Sequence, residues 1–370
     1  MADRPSPDSI FGQRQTMKVL MIANAAATHT MRWATAMANE GHDVRLLSVR
    51  HRDIEGVDVV SFSSHHATDP SRTGLTAGYA RLRLGLPKEL ASFAPDIVHA
   101  HYASTNGYIA ALAHARPTLL TVWGTDIIPK PGHSLSPSHR HRARKAVEHA
   151  SIITSASPYM ADHVRDLVPE TPVEIVPFGV DLDLFSPSRP PTGFEILIAK
   201  SLEQRYGIDV VIDAMDEVAR AVPGASLTIA GDGSQRASLE KKAADCVAPV
   251  EFMGVVPHED LPALMSRSAV VVNPTVVDES FGVVILEAQA VGRPVVSPRV
   301  GAVPDVCIEG RTALLVPPHE PHAMATAIID TLQGGLPQAH EDGPRFVRER
   351  FTWKASVDRM NALYSVVADA

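Results

Sequence analysis

The chain has 370 residues and a mass of 39.7 kDa, with 45% hydrophobic residues, 21% charged residues and a mean hydropathy of +0.01. This composition excludes a disordered or fibrous protein, and the length favours two domains of roughly 150 to 200 residues each. The net charge of −8 makes nucleic acid a poor partner, because binding to phosphates needs an excess of basic residues. Two cysteines, Cys246 and Cys307, are too few for a disulfide framework or a cysteine metal site.

Residues 1–16 are polar and lack an apolar core, so we expect a flexible leader and not a signal peptide. No run approaches 18 apolar residues, which argues against a membrane span and favours a cytoplasmic protein. The first half is mildly basic and the second half is acidic. The basic residues would suit peripheral contact with the inner face of an anionic membrane, or an anionic acceptor, although a solvated helix face explains them more simply. The residues concerned are Arg140, Arg142, Arg144 and Lys145.

From residue 18 onward, short runs rich in Val, Ile and Leu alternate with segments of helical period, which predicts βα units and a parallel sheet. The predicted strands of the first half are 18–24, 43–49, 57–62, 96–99, 118–122, 152–155 and 173–176. The alternation then restarts, with predicted strands at 194–199, 226–230, 250–252, 269–273, 294–297 and 313–316.

Proline and glycine give residues 178–193, between these two series, the composition of a linker. We therefore predict an α/β protein of two facing Rossmann-like domains, 17–180 and 194–345, joined by a linker at 181–193. The C-terminal segment, 346–370, should pack back on the first domain through an amphipathic helix at 353–367. Ligands of open parallel sheets bind beyond the carboxyl ends of the strands, so the substrates should lie in the cleft between the domains.

The stretch 269–306 is the most informative part of the sequence. A strand ends near Asn273, a loop carries Glu279, and a helix carries Glu287. A carboxylate can accept two hydroxyl hydrogen bonds at once, which suits the vicinal diols of a sugar or a ribose. The first amides of the helix, near Gly282 and Val283, have no backbone acceptor and would bind a diphosphate.

The whole stretch resembles the signature of retaining glycosyltransferase family 4, whose members have the GT-B fold. The resemblance implies that Glu279 contacts the donor sugar and Glu287 the ribose. It also assigns the residues between them, Ser280, Phe281, Gly282 and Val283, to donor binding. The resemblance covers residues 18 to about 364 and is weaker in the first half.

Two further segments of the second half resemble parts of the same family, and a third has turn residues that suit close approach of a ligand. AKSLEQRYG resembles its diphosphate loop, which makes Lys200 and Arg205 the expected partners of the leaving diphosphate. Gly231 ends a strand in a turn where backbone can approach a ligand closely, and Val256 lies in a segment similar to the base-binding segment. For these last two, a tight turn before a helix is an equal alternative.

The first half departs from the family. Alanines and Thr28 stand where many relatives have glycines, and His29, Thr30 and Arg32 either meet the acceptor or serve as a helix cap and surface groups. Trp123 stands where relatives often carry a histidine that is assigned to the surroundings of the sugar. The nearest polar candidates to line the reaction centre are Asp126 and His101, and a structural role for His99 and His101 is an equal alternative.

We expect an enzyme that moves a hexose-type sugar from a UDP- or GDP-sugar to an acceptor that the sequence does not identify. Cell-envelope glycan, glycolipid and natural-product glycoside synthesis all remain open, as does the oligomeric state. Asp181 and Asp183 match a metal-binding Asp-x-Asp pattern, but they lie at the entry to a linker, and the cations already serve the diphosphate. We therefore expect no cofactor and no metal. The alternatives are a nucleotide-sugar epimerase or phosphorylase of the same fold, and a binding protein that has lost catalysis.

Overall fold

The computed structural model describes residues 16–62, 72–129 and 133–369. Nearly all of the predicted leader, residues 1–15, falls outside these ranges. Two separate parallel sheets organise the described chain, and we call the unit built on the first sheet the first domain and the other the second domain.

The sheet of the first domain has seven parallel strands in the order β3-β2-β1-β4-β5-β6-β7. In chain order these strands are β1 Lys18–Ile22, β2 Asp43–Ser48, β3 Asp58–Ser61, β4 Ile97–His101, β5 Thr118–Thr121, β6 Ile152–Ser155 and β7 Val173–Ile175. The helices are α1 Thr28–Asn39, α2 Arg72–Phe93, α3 Tyr108–Leu112, α4 Pro137–His149 and α5 Pro158–Leu167, with a π-helical segment at Tyr102–Gly107 before α3.

The sheet of the second domain has six strands in the order β10-β9-β8-β11-β12-β13. These are β8 Glu195–Ala199, β9 Ser226–Ala230, β10 Val250–Gly254, β11 Val270–Val272, β12 Val295–Pro298 and β13 Ala313–Val316. The helices that follow or precede them are α6 Ile208–Ala221, α7 Arg236–Ala243, α8 Leu261–Arg267, α9 Val283–Ala290 and α10 Pro321–Leu332. Two more complete the chain, α11 Ala339–Arg350 and α12 Trp353–Ala368.

The side chains of β8 point alternately to the two faces of the second sheet, and both faces are buried. Ile196 and Ile198 pack into a core with α6 and α10, whereas Leu197 and Ala199 belong to a larger core that continues into the first domain. Because strands buried on both faces read as continuous apolar runs, the sequence locates them well. Each of the thirteen predicted strands overlaps an observed one, and the prediction of two parallel α/β domains with the GT-B fold is confirmed.

Strand β4 extends two residues beyond its predicted end, to His101. His99 and His101 are both fully buried in this strand, so their polar side chains concealed its true length in the sequence. Similarly, β10 reaches Gly254, beyond the predicted end at residue 252.

The chain crosses between the domains at two places that lie side by side. Val180 N donates to Phe351 O at 2.7 Å, and Trp353 N donates to Val180 O at 2.9 Å. Helix α11 packs on α9 of the second domain and ends at Arg350, so the return crossing lies a few residues after the predicted boundary at 345/346. Helix α12 then packs against α1, β4 and β5 of the first domain. Within the described residues, no helix is both long and apolar enough to span a membrane.

Candidate active site

Polar residues lie at two corresponding points of the sheets. The strand order reverses between β1 and β4 in the first sheet and between β8 and β11 in the second. Ligands of such sheets bind at these switch points, outside the carboxyl ends of the strands. Lys200 follows β8 and Asn273 follows β11, while the loop before His29 follows β1 and His101 ends β4.

The switch point of the second domain holds an ion pair. Lys200 Nζ donates to Glu279 Oε2 at 2.7 Å and to Asn273 Oδ1 at 3.3 Å, and the hydroxyl of Thr275 donates to Glu279 Oε2 at 3.2 Å. Both charged side chains are largely buried, 14% and 16% exposed. Burial alone would raise the pKa of Glu279, but attraction to Lys200 and the hydrogen bonds from Lys200 and Thr275 outweigh it and lower that pKa. Glu279 is therefore an ionised acceptor.

Two glycines allow neighbouring segments to pack closely against the backbones of Lys200 and Glu279. A Cβ at Gly231 would lie 1.9 Å from Lys200 O, and a Cβ at Gly301 would lie 2.3 Å from Glu279 O. Ala302 N also donates to Glu279 O at 2.8 Å, so the loop after β12 fixes the backbone that presents Glu279. Gly231 packs against the backbone of Lys200, and its close approach to a ligand stays a prediction.

Helix α9 begins just beyond Glu279. Its N-cap is Gly282, with a φ of +94°, and Ile285 N is the first amide of the helix seen to donate, to Gly282 O. The amides of Val283 and Val284 precede this bond and suit an anion. The side chain of Phe281 is buried near Phe351, so this residue can offer a ligand only its backbone.

Glu287 lies within α9 and is only 3% exposed. His258 Nε2 lies 2.7 Å from Glu287 Oε1, and this bond raises the pKa of His258 above its ordinary value. Val256, two residues before His258, is half-buried and packs on the larger core. The two glutamates thus have different partners: Glu279 pairs with Lys200, and Glu287 bonds to His258.

A cavity of about 700 Å³ lies between the domains. Its second-domain wall includes Arg205, Tyr206, Thr275, Asp278, Glu279 and Ser280. Its first-domain wall includes Trp123, Gly124, Ile128, Leu135 and His139. Arg205 is exposed there and lies over the ring of Tyr206, 4.7 Å from its centroid.

The two walls also touch each other directly. Ser157, which caps helix α5 by accepting from Met160 N, donates its hydroxyl to Ser280 O at 2.8 Å. Burial, and after it the nearby carboxylate of Asp278 in the same loop, raise the pKa of Tyr159. Helix α5 of the first domain therefore contacts the loop that carries Glu279.

The switch point of the first domain is aromatic and uncharged. The ring centroid of His29 lies 4.1 Å from that of Trp123 and 6.3 Å from that of His101. Burial lowers the pKa of His29 to about 4 and holds the pKa of His101 well below its ordinary value, with His99 and His29 adding to the effect on His101. Within the described ranges, both ring nitrogens of His101, His29 Nε2 and Trp123 Nε1 are buried without a hydrogen-bond partner.

His101 does not line the cavity as expected, and neither does Asp126. Its carboxylate is almost fully buried and accepts hydrogen bonds from the backbone N–H groups of Ala103, Trp123 and Gly124, at 2.8 to 3.1 Å. It therefore stabilises the turn that presents Trp123 and Gly124 to the cavity.

His29, Thr30 and Arg32 neither cap α1 nor lie fully exposed on the surface. The N-cap of this helix is Ala27, without a side-chain hydrogen bond, and Thr30 is fully buried. Arg32 donates to Gly179 O at 3.3 Å and lies over the rings of Phe178 and Trp353, 4.4 and 4.2 Å from their centroids. Arg32 thus links α1 to both segments in which the chain passes from one domain to the other.

Sequence reasoning missed the supporting residues Ser157, His258 and Gly301. His258 directly follows the segment recognised around Val256, which was the one local signal for it. The partners of Ser157 and Gly301 lie 123 and 22 residues away along the chain, and no local pattern indicates such contacts. Within the described residues, no group of three or more His, Cys, Asp or Glu side chains is placed to hold a metal ion.

Two Rossmann-like domains with a cleft between them are the architecture of the GT-B fold. Residues 18–157 match the family model described as "Glycosyl transferase 4-like", and residues 193–334 match that of "Glycosyl transferases group 1". The chain belongs to glycosyltransferase family 4.

Individual proteins are similar over much of the chain. A glycogen synthase of Mycobacterium tuberculosis is 29% identical over 91% of this chain and 90% of its own length. A GDP-mannose-dependent alpha-(1-6)-phosphatidylinositol monomannoside mannosyltransferase of Mycolicibacterium smegmatis is 30% identical over 61% of this chain and 63% of its own.

Solved structures share the fold at lower identity. Sucrose-phosphate synthase from Thermosynechococcus elongatus has a TM-score of 0.83 and 20% identity over 95% of this chain and 100% of its own. HepE from Anabaena, solved in complex with UDP-glucose, has a TM-score of 0.73 and 18% identity over 95% of this chain and 100% of its own.

Proposed function

We propose that this glycosyltransferase moves a hexose from a UDP- or GDP-sugar to an acceptor bound on the first-domain side of the cleft, with retention of anomeric configuration. The observation that carries the proposal is the buried pair of Lys200 and Glu279 at the switch point of the second domain. The M. smegmatis relative is GDP-mannose-dependent by name, and the HepE structure contains UDP-glucose, which supports donors of these two kinds.

The charges of the site suit a departing diphosphate. As the glycosidic bond breaks, negative charge grows on the diphosphate, and fixed cations near it lower the barrier. In this proposal Lys200, Arg205 and the first amides of α9 meet that charge, Glu279 orients the sugar through its hydroxyl groups, and Glu287 accepts from the ribose. With cations in that role, the reaction needs no divalent metal.

The neutral histidines of the first domain are consistent with retention without a protein base. His29 and His101 have lowered pKa values and are unprotonated at neutral pH. In the proposed reaction, the leaving diphosphate accepts the proton of the acceptor hydroxyl, on the same face of the sugar.

The test begins with thermal unfolding in the presence of UDP, GDP, ADP and their sugars. A ligand at 100 times its Kd stabilises the folded chain by about 2.7 kcal/mol, which gives a clear shift in Tm. The sugar donor of the stabilising nucleotide is then incubated with the protein in excess EDTA, and the released diphosphate and the anomer of the released sugar are followed. Release of the retained anomer in EDTA supports the proposal, whereas activity that EDTA abolishes and manganese restores refutes its metal independence.

The roles of the two glutamates can be separated by titration with the diphosphate alone. Glu287→Ala should weaken the binding of nucleoside diphosphate, because its proposed partner is the ribose. Glu279→Ala should spare that binding and lower turnover, because its proposed partner is the sugar. Equal losses of diphosphate affinity in both variants would contradict this division.

A further inference from the structure

Glu287 meets a histidine from a different element of the second domain. His258 lies in a short turn just before α8, and its Nε2 is 2.7 Å from Glu287 Oε1. The carboxylate is 4% exposed and the imidazole 49% exposed, so the histidine is the more accessible partner of a nearly buried acid. No other hydrogen bond to this carboxylate occurs among the described residues.

The ring of His258 is itself held in place. Its centroid lies 5.2 Å from that of Phe185, a fully buried residue of the segment that joins the two sheets. The geometry of the His258–Glu287 contact therefore depends on packing as well as on charge.

The charged groups around this contact favour the ion pair. Glu287 on α9 and Glu259 beside the imidazole both attract a proton to His258, whereas Arg32 on α1 opposes it. Arg32 in turn is attracted to Glu287 and to Asp181. A hydrogen bond from a protonated imidazole to a carboxylate is stronger than one between neutral groups.

We propose that His258 is a positioning residue, which holds the Glu287 carboxylate in the orientation that accepts the ribose hydroxyls of the nucleotide. This inference rests on the proposed function, because it requires Glu287 to bind the ribose.

The Glu287 carboxylate has enough lone pairs to accept hydrogen bonds from His258 and from the ribose at the same time. An ionised carboxylate offers about four acceptor sites, and His258 uses one of them, on Oε1. The remaining sites on Oε1 and Oε2 can accept the 2′ and 3′ hydroxyls while the imidazole stays in place. Ribose binding therefore does not need to displace His258, and the histidine limits rotation of the carboxylate.

The test is a thermodynamic cycle in which His258 is replaced in the protein and the ribose hydroxyls are removed from the ligand. Isothermal titration measures the affinity of each combination. The probes are UDP and 2′,3′-dideoxyuridine diphosphate, with the GDP and ADP pairs in parallel, and the proteins are wild type, His258→Ala and His258→Gln. Partners that orient a ligand-binding side chain are worth 10- to 100-fold in metal sites, so we expect His258→Ala to weaken UDP roughly tenfold. The dideoxy probe should bind both proteins within about twofold. Glutamine, which can still donate to Glu287, should recover most of the UDP affinity at pH 8.

The pH dependence separates positioning from a purely structural role. The raised pKa of His258 means that its charged bond is complete below pH about 6.5 and is lost as the pH rises through that raised value. The advantage of wild type over His258→Gln should therefore be largest near pH 6 and decline toward pH 8.5. Comparing the two proteins at each pH cancels the titration of the phosphates.

A second histidine and glutamate pair provides the control. His322 Nδ1 lies 3.0 Å from Glu217 Oε2 on the exposed surface formed by α10 and α6, and His322→Gln should leave UDP affinity unchanged. Equal losses for UDP and its dideoxy analogue, unchanged UDP affinity in His258→Ala, or tighter binding in that variant would each overturn the inference. If wild type binds none of the nucleotides, the proposed function fails with it, whereas normal wild-type binding confines the failure to His258.

Discussion

The two switch points have the same topology and opposite chemistry. In the second domain, Lys200 and Glu279 form a buried ion pair that Asn273 and Thr275 complete with further hydrogen bonds. In the first domain, the corresponding place holds the imidazole of His101 and its aromatic neighbours, with buried nitrogens that have no partner in the described chain.

The difference shows that the fold provides two equivalent places for ligands and the side chains decide what each can bind. A fixed charge is useful where a diphosphate gains charge, and it stays charged in a buried place only if a partner stabilises it. Neutral imidazole and indole groups suit uncharged hydroxyls, and burial keeps the imidazoles neutral. Topology alone would not distinguish the two halves.

The largest expected effect comes from disturbing the backbone of the charged site. Gly301→Ala places a Cβ 2.3 Å from Glu279 O, so the loop that carries Glu279 has to move. A displacement of about 1 Å in a reacting group can reduce the rate about 100-fold, and we expect a fall in kcat of this size. Steady-state release of nucleoside diphosphate measures it.

Gly224→Ala is the matched control for Gly301→Ala. Both glycines have a positive φ, but a Cβ at Gly224 meets nothing within 4 Å. Both variants should lose some stability through backbone strain, and only Gly301→Ala should lose turnover. Similar kcat values in the two variants would show that Gly301 does not position Glu279.

Removing the cations should have an effect of similar size. Lys200→Ala and Arg205→Ala each lose a charged hydrogen bond of about 1.5 to 3 kcal/mol in the transition state, or roughly 10- to 150-fold in kcat. Turnover should fall more than donor affinity. The double variant should lose less than the two effects combined, because both cations serve one diphosphate in the proposed reaction.

Lys200→Ala has a second consequence that Arg205→Ala lacks. It leaves Glu279 buried without its cation, so it should also lower the free energy of unfolding. Urea denaturation measures this difference, for which exposed Arg205 serves as the control. Single variants with near wild-type kcat would show that the electrophilic assistance lies elsewhere.

The sequence predicted the sheets far better than the contacts between them. Buried strands such as β8 appear as continuous apolar runs, and the run around Glu279 carries a recognisable family signature. The bond between Lys200 and Glu279 joins residues 79 apart, and its formation depends on the strand order. Asp126 shows the same limit, because nothing local indicates that its carboxylate turns toward the amide of Ala103.

The neutral cluster should make the protein sensitive to acid. The pKa of His29 is about 4 in the fold and near 6.5 when unfolded, so its contribution to stability is complete above pH 6.5 and is lost as the pH falls toward 4. Between pH 7 and 5 this loss amounts to about 2 kcal/mol.

Replacing His29 should remove that part of the acid sensitivity. In His29→Leu, the free energy of unfolding should fall less between pH 7 and 5 than in wild type, as measured by urea denaturation at each pH. His322→Leu serves as the control, because the pKa of exposed His322 is raised by its bond to Glu217. Parallel pH profiles for wild type and His29→Leu would show that His29 is not held neutral by the fold.

The smallest expected effect concerns the contact between the two halves of the site. Ser157→Ala removes a helix cap and also the hydrogen bond to Ser280 O, next to Glu279. Thr352→Ala removes only a cap, that of α12, where Thr352 Oγ1 accepts from Ala355 N. Both variants should lose about 1 kcal/mol of stability. Because the first domain contacts the Glu279 loop through Ser157, only Ser157→Ala should also slow turnover, by about fivefold for a bond worth about 1 kcal/mol. Equal kcat values in the two variants would mean that the Glu279 loop holds its position without the first domain.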